Sequence, residues 1–317
     1  MALYSHSPLN QMYRYMSMLV NANSCEWIVL NGHLDIKRLR RAARAVARRH
    51  WVLNSFQRRK GLGFAWETWS DEAEMDIRYE RLPPMSDEER HQHLVHNIWQ
   101  EQLPLTQGRP WRIHVSEDDN GRTWLQVITT HVFTDGRSAN IVARDLAHAY
   151  TAAEGDNIPE LDPEAPRDPE RDPFKLFTQD LSTADKRGLV GDALKAIVSD
   201  ATAPCDRLAL KKGPVGKTGV LFFDFGADTW QRVRRAGKHV GLSVHPFLLG
   251  AVLRSIQRWN QKRGKQTRIL RVIDNFTLRR FNQEPHVQDI YDVFAIPYSL
   301  DYQLDQDDKS LLKQIKT

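Results

Sequence analysis

The chain has 317 residues, 41% of them apolar, enough for one large core or two ordinary ones. Its 45 Lys and Arg against 40 Asp and Glu leave a net charge of +5, a mild bias toward anionic partners such as phosphates, CoA or an acidic carrier protein. Two cysteines, Cys25 and Cys205, exclude a disulfide framework and a cysteine zinc site, and no signal pattern or membrane-length apolar run occurs, so a soluble cytoplasmic protein is expected.

Residues 25–30 read as a strand. Asp35 then opens a helix with Ile36, Leu39, Ala43 and Val46 on one face, ending near His50. Its opposite face carries Lys37, Arg38, Arg40, Arg41, Arg44 and Arg48; without aromatic interleaving this is a solvated basic face, and no nucleic-acid partner is expected. Short strands are predicted at 64–69 and 76–81. Ser86 and Glu89 form a capping box that starts a helix through about residue 102. His91, His93 and His96 lie in that helix as H-x-H-x-x-H. No nearby carboxylate or cysteine completes a ligand set, so no metal is expected.

Strands at 111–117 and 123–130 flank the turn Asp118-Asp119-Asn120-Gly121, a hairpin signal. The motif T-H-x-x-x-D-G follows: Thr130, His131, Asp135 and Gly136, with a helix predicted over 138–150. A histidine at a strand end can face a reaction centre while held rigidly. An aspartate four residues on, before glycine, suits a turn that fixes the histidine loop rather than a second base. Pro159, Pro163, Pro166, Pro169 and Pro173 mark an extended crossing segment. Beyond it, helices are predicted at 181–199, 228–238 and 243–260. In the last of these Ser243 is the N-cap, and Val244, Phe247, Leu248, Ala251, Val252, Ser255 and Ile256 form the buried face. Strands are predicted at 219–225, 268–274 and 293–302. The fold class is α/β (α+β), with 1–155 as a first lobe, 156–180 as crossover and 181–317 as a second.

These residues resemble the chloramphenicol-acetyltransferase-like superfamily, which includes nonribosomal peptide condensation domains and the acyltransferases of the H-x-x-x-D type. The likeness runs in order along nearly the whole chain. It covers Ser7-Pro8-Leu9-Asn10-Gln11-Met12 and Leu34-Asp35 through Arg49-His50 to Phe56. It continues through the motif itself, Leu242 to Leu253, Asn275-Phe276-Thr277-Leu278-Arg279, and the helix from Ser310 to Lys316. The resemblance implies two similar lobes with a tunnel between them and His131 at its middle. The co-substrate it implies is an acyl thioester on CoA or on the phosphopantetheine arm of a carrier protein, with no tightly bound cofactor. It makes His131 the general base, Asp135 a structural carboxylate paired with Arg279 across the lobes, and Gly136 a backbone donor near the acceptor or oxyanion. Thr130, which replaces the first of two histidines found in many relatives, is a substrate-channel candidate with Ser138 and Asn275.

Relatives continue past the segment matching Ser310 to Lys316 and carry a D-F-G-W-G segment. Asp224-Phe225-Gly226 lacks its Trp-Gly and lies too early. An incomplete second lobe is therefore expected, with self-association or a partner chain covering it. The first function expected is acyl transfer to a hydroxyl of a small-molecule acceptor. The alternatives are condensation-type amide formation in nonribosomal peptide or polyketide biosynthesis, and a non-catalytic relative that binds a carrier protein.

Overall fold

The computed structural model describes residues 3–5, 7–19, 21–69, 75–155, 157–161, 182–185, 188, 202–210, 225–281 and 285–316. The chain forms two compact units, Met1–Asp180 with Thr277–Ile296, and Leu181–Phe276 with Pro297–Thr317. Residues 277–296, expected with the second half, thus belong to the first unit.

The first unit begins with β1 (Leu3–Ser5), α1 (Pro8–Ser17), β2 (Asn23–Asn31) and α2 (Ile36–Arg49). β3 (Ser55–Lys60), β4 (Gly63–Thr68), β5 (Ile77–Arg81) and α3 (Asp87–Trp99) follow. β6 (Trp111–Glu117), β7 (Arg122–Thr130) and α4 (Gly136–Ala152) complete the run. One sheet has the order β1-β4-β3 and a second β2-β7-β6-β5. In the second, β5 and β6 are parallel and the other pairs antiparallel. The predicted hairpin forms: Asp118 accepts from the backbone N–H groups of Asn120 at 3.0 Å and Arg122 at 2.9 Å, and Gly121 adopts φ 74°.

Every residue of β6 is buried, as is every residue of β7 after Arg122, so this central pair is covered on both faces. Ile113, Val115, Leu125 and Val127 pack with Leu39 and Val46 of α2 and with Val142 and Leu146 of α4. Four alanines of α2, Ala42, Ala43, Ala45 and Ala47, are buried, and their small side chains let α2 and α4 approach closely. Asp35 caps α2 by accepting from Arg38 N–H at 3.0 Å, and the Ser86–Glu89 capping box closes α3 in both directions. That helix ends at Trp99, three residues short of expectation. α4 begins two residues earlier than predicted, because Asp135 itself is the N-cap.

The second unit contains α5 (Ala227–His239), α6 (Val244–Gln261), β8 (Ile269–Thr277), β9 (Ala295–Gln303) and α8 (Asp308–Lys316), with α7 (Pro285–Gln288) in the segment returned to the first unit. β8 and β9 pair; the last residue of β8 and the first two of β9 belong to that segment. Leu253, Leu270, Tyr302, Leu304 and Leu311 form the core of this unit. The buried face of α6 differs from the predicted one. Gly250, Leu253 and Asn260 are buried, while Leu248 and Val252 are exposed. The reason is the approach of α8: a Cβ at Gly250 would lie 2.9 Å from Leu312 Cδ2, so the helices meet on the glycine side. Ser243 occupies the N-cap position but makes no side-chain capping bond. The helix predicted at 181–199 and the strand at 219–225 lie outside the described residues, apart from 182–185, 188 and 225. Among the described residues no single helix is long and apolar enough to cross a membrane.

At the end of α2, fully buried His50 meets Asp145 of α4 at 2.8 Å, with Arg49 at 3.1 Å and Arg144 at 2.9 Å from the same carboxylate. Burial alone would push the Asp145 carboxyl up. Hydrogen bonds from His50 and Arg144 and the charges of His50 and Arg49 hold it below its ordinary 3.8. A depressed carboxylate stabilises the fold above its unfolded pKa and loses that contribution as pH falls through the folded value. Asp145→Ala is therefore expected to cost about 3–5 kcal/mol in urea unfolding at pH 7. The difference from the unmutated protein should shrink as the titration is repeated below about pH 4.

Candidate active site

β7 ends at Thr130, residues 131–133 turn, and α4 starts at Gly136. Asp135 joins the two. Its Oδ1 accepts from Ser138 N–H at 2.8 Å, satisfying an orphan donor of the first helical turn, and its Oδ2 accepts from Phe294 N–H at 2.9 Å. Arg279 Nη2 stands 3.8 Å from Oδ1, with both side chains 4% exposed. The arginine also donates to Ser138 Oγ at 3.0 Å and to the carbonyls of Ile290 at 2.9 Å, Gln288 at 3.2 Å and Asp292 at 3.3 Å. Its guanidinium lies 4.1 Å above the Phe294 ring. Burial pushes the Arg279 pKa down, while the charges of Asp135 and Asp292 oppose that shift.

Ser138 Oγ donates to Asp292 O at 2.5 Å and accepts from Asp292 N–H at 3.2 Å. Asn10 Nδ2 donates to Val132 O at 2.8 Å and to Asp292 Oδ1 at 2.9 Å. Thr134 Oγ1 and the buried Tyr291 hydroxyl share a hydrogen bond of 2.7 Å, and burial pushes that phenol well above its ordinary value. The returned segment is thus bound to the motif turn from both sides. The Asp135–Arg279 pair, expected to bridge two lobes, lies within one unit because residues 277–296 pack there.

His131 is half-buried. Its N–H donates to Ala22 O at 2.8 Å, and its ring stacks on Tyr13 with centroids 4.8 Å apart and planes 14° from parallel. Tyr13 in turn donates from its hydroxyl to Ala295 O at 3.2 Å. Burial, helped by the Asp135 charge, pushes the Tyr13 phenol up. His131 Nδ1 is buried without a hydrogen-bond partner among the described residues. Asp135 therefore orients the loop through backbone and arginine contacts, and the histidine is placed by its own main chain and by an aromatic face.

The other predicted site residues divide. Ser138 belongs to the Asp135–Arg279 network. Thr130 is buried, accepts from Val132 N–H at 3.4 Å and lines a cavity described below. Gly136 is exposed as the first residue of α4, and a Cβ there would meet nothing within 4 Å, so no close approach within the protein requires glycine. Asn275 is exposed on β8 and belongs to the second unit. Tyr13, Asp292 and Phe294 were not predicted. None carries a motif, and only the fold brings them to the turn. Among the described residues no group of three or more His, Cys, Asp or Glu is arranged to hold a metal. His93 instead meets Glu80 at 2.9 Å, where Asn97 also donates at 2.9 Å and Ser116 at 2.6 Å, so this part of the histidine run clasps α3 to the sheet.

Residues 11–166, which hold the motif, match the family model described as Condensation domain. Over 99% of this chain and 73% of its own length, the first condensation domain of the calcium-dependent antibiotic synthetase, solved with a substrate analogue, superposes with a TM-score of 0.76 at 14% identity. The chain thus has the fold of condensation domains.

The cyclization-docking bidomain EpoB of Sorangium cellulosum is similar over 99% of this chain and 63% of its own, with a TM-score of 0.69 at 19% identity. An epimerization domain of tyrocidine synthetase B gives a TM-score of 0.70 at 15% identity, over 99% of this chain and 72% of that one. In sequence, the cyclosporin synthetase simA of Tolypocladium inflatum is 24% identical over 229 residues, which is 71% of this chain and 2% of that protein. The condensation-domain fold therefore holds Asp135 and Arg279 inside one unit here. Replacing Arg279 with Ala strands several buried acceptors, and we expect a loss of about 3–5 kcal/mol in chemical unfolding. Arg279→Lys, which lacks the planar fork, should recover less than half of it.

Proposed function

We propose that the chain catalyses condensation-type acyl transfer in nonribosomal peptide or polyketide biosynthesis, forming an amide from a carrier-bound acyl thioester and an amine. The observation that carries this reading is His131, half-buried and stacked on Tyr13, with Nδ1 committed to no other protein group among the described residues. The likeness to condensation domains supports amide formation over transfer to a hydroxyl, which the sequence places first.

In the proposed step the amine nitrogen attacks the thioester carbonyl, forming C–N. His131 takes a proton from the attacking nitrogen as it becomes cationic. The tetrahedral intermediate collapses, C–S breaks, and that proton passes to the leaving thiolate. No covalent enzyme intermediate forms. Positioning both reactants supplies much of the rate, and general base catalysis contributes roughly 10²–10⁴-fold. Tyr13 acts through His131: its stacked face restricts the imidazole plane.

The test supplies acyl-pantetheine and carrier-bound acyl thioesters with amine or hydroxyl acceptors and follows the product by mass spectrometry. Amide product is expected, reduced about 10²–10⁴-fold in His131→Ala. Turnover that survives this substitution removes His131 from the step. Ester product alone moves the reading to O-acylation, and carrier binding without any product makes the chain a binding relative. Tyr13→Leu, which keeps bulk but loses the aromatic face, is expected to lower kcat about tenfold or more with little change in KM, since ring placement matters most in the transition state.

A further inference from the structure

A cavity of about 290 Å³ opens where α1, the start of β2, the end of β7 and residues 102–106 meet, all in the first unit. It adjoins the catalytic turn directly. Thr130 and Asn23, which pair in the sheet, both line it, and so does Ala22, whose carbonyl holds the His131 N–H. Leu103 and Leu105 supply apolar wall. Among the described residues that line it, Arg14 alone is ionisable.

Arg14 is held but not neutralised. Its Nη1 donates to Ser17 Oγ at 3.1 Å, and its guanidinium lies 4.7 Å over the Phe64 ring. The adjoining Nε and Nη2 have no partner among the described residues, and Nε is buried. The nearby carboxylate of Glu101 is engaged elsewhere, by Arg78 at 3.0 Å and Arg112 at 2.8 Å. A buried N–H on a cation is costly unless an acceptor meets it. The Nε–Nη2 edge matches the two oxygens of a carboxylate, and fixing the guanidinium beforehand reduces the entropy lost on binding. The Asn23 amide, by contrast, already donates to Ile98 O at 2.7 Å and Glu101 O at 2.9 Å. The Gln102 amide donates to Ser17 O at 3.1 Å and the Ser17 hydroxyl to Arg14 O at 2.7 Å, so Arg14 is the charged donor a ligand meets, with Thr106 an exposed residue of the lining.

We propose that this cavity is a carboxylate-binding subsite, in which Arg14 grips a carboxylate carried on a short apolar stem by the substrate. Its link to turnover rests on the acyl-transfer reading; the binding itself does not. The apolar walls select the stem and the single cation selects the charge, so a neutral group of the same shape is rejected.

The test titrates the whole chain with glutarate and with its neutral diamide at fixed ionic strength, by calorimetry. Glutarate is expected to bind at least about tenfold more tightly than the diamide. Arg14→Gln should remove that preference, and Arg14→Lys, which keeps the charge without the fork, should restore part of it. Thr106→Glu, at an exposed position, should weaken glutarate by placing like charge at the mouth, and it serves if Arg14→Gln fails to fold. Equal binding of acid and diamide, or glutarate binding unchanged in both Arg14→Gln and Thr106→Glu, overturns the proposal. Glutaryl- and pentanoyl-pantetheine then separate the two readings. Arg14-dependent glutarate binding without turnover of any donor leaves the subsite and removes the transferase. Turnover without glutarate discrimination does the reverse.

Discussion

The motif turn depends on one buried carboxylate. Asp135 sits at the start of α4, where unsatisfied N–H groups and the helix dipole favour negative charge. It is also buried, and a buried carboxylate is tolerated only when its oxygens are met. Ser138 N–H and Phe294 N–H provide hydrogen bonds, and Arg279 supplies the counter-charge at 3.8 Å. Two of those partners lie in 277–296, the stretch that belongs to the first unit with the motif. Burial of Leu278, Ile290, Tyr291, Val293 and Phe294 holds the same stretch there as well.

This arrangement separates structure from chemistry at the motif. Asp135 accepts from two backbone N–H groups and faces Arg279, and among the described residues no hydrogen bond joins it to His131. Instead the imidazole is fixed by its own N–H on Ala22 and by the Tyr13 ring. A stack restricts the plane of a ring without occupying either nitrogen. A hydrogen bond to Nδ1 would choose one tautomer; a stack does not. The stack also ties the site to α1, whose Asn10 bonds both Val132 O and Asp292 Oδ1. One helix turn of α1 thus carries the support for the turn, at Asn10, and for the ring, at Tyr13.

Local rules made much of this legible. The capping signals at Asp35 and Ser86, the Asp118–Gly121 turn and the strands of the central pair follow from short-range chemistry, which a single sequence displays fully. Asp135 is readable as a turn residue, because an aspartate before glycine after a strand suits a tight turn. Long-range choices were not legible. β1 is three residues long and shows no pattern. The inward face of α6 is decided by Leu312 meeting Gly250 across more than sixty residues, and an apolar stripe beginning at Val244 gives no sign of it. Tyr13 resembles any other helix aromatic until the fold lays it on His131.

The same physical division bears on what this fold does. Structures described as condensation, cyclization and epimerization domains all superpose on this chain at below 20% identity. A fold that accommodates such different descriptions does not choose the reaction; the side chains exposed around it do. The Asp135–Arg279 node and the buried β6–β7 pair fix the frame, and neither Asp135 nor Arg279 has an uncommitted charge to offer a substrate. On the proposed reading, choice resides in groups that the frame leaves unsatisfied. His131 Nδ1 and the Nε–Nη2 edge of Arg14 are two such groups, with no hydrogen-bond partner among the described residues. An unmet buried donor or acceptor is a cost in the free protein that a substrate relieves on binding, so the positions that folding leaves incomplete are the ones where specificity is gained.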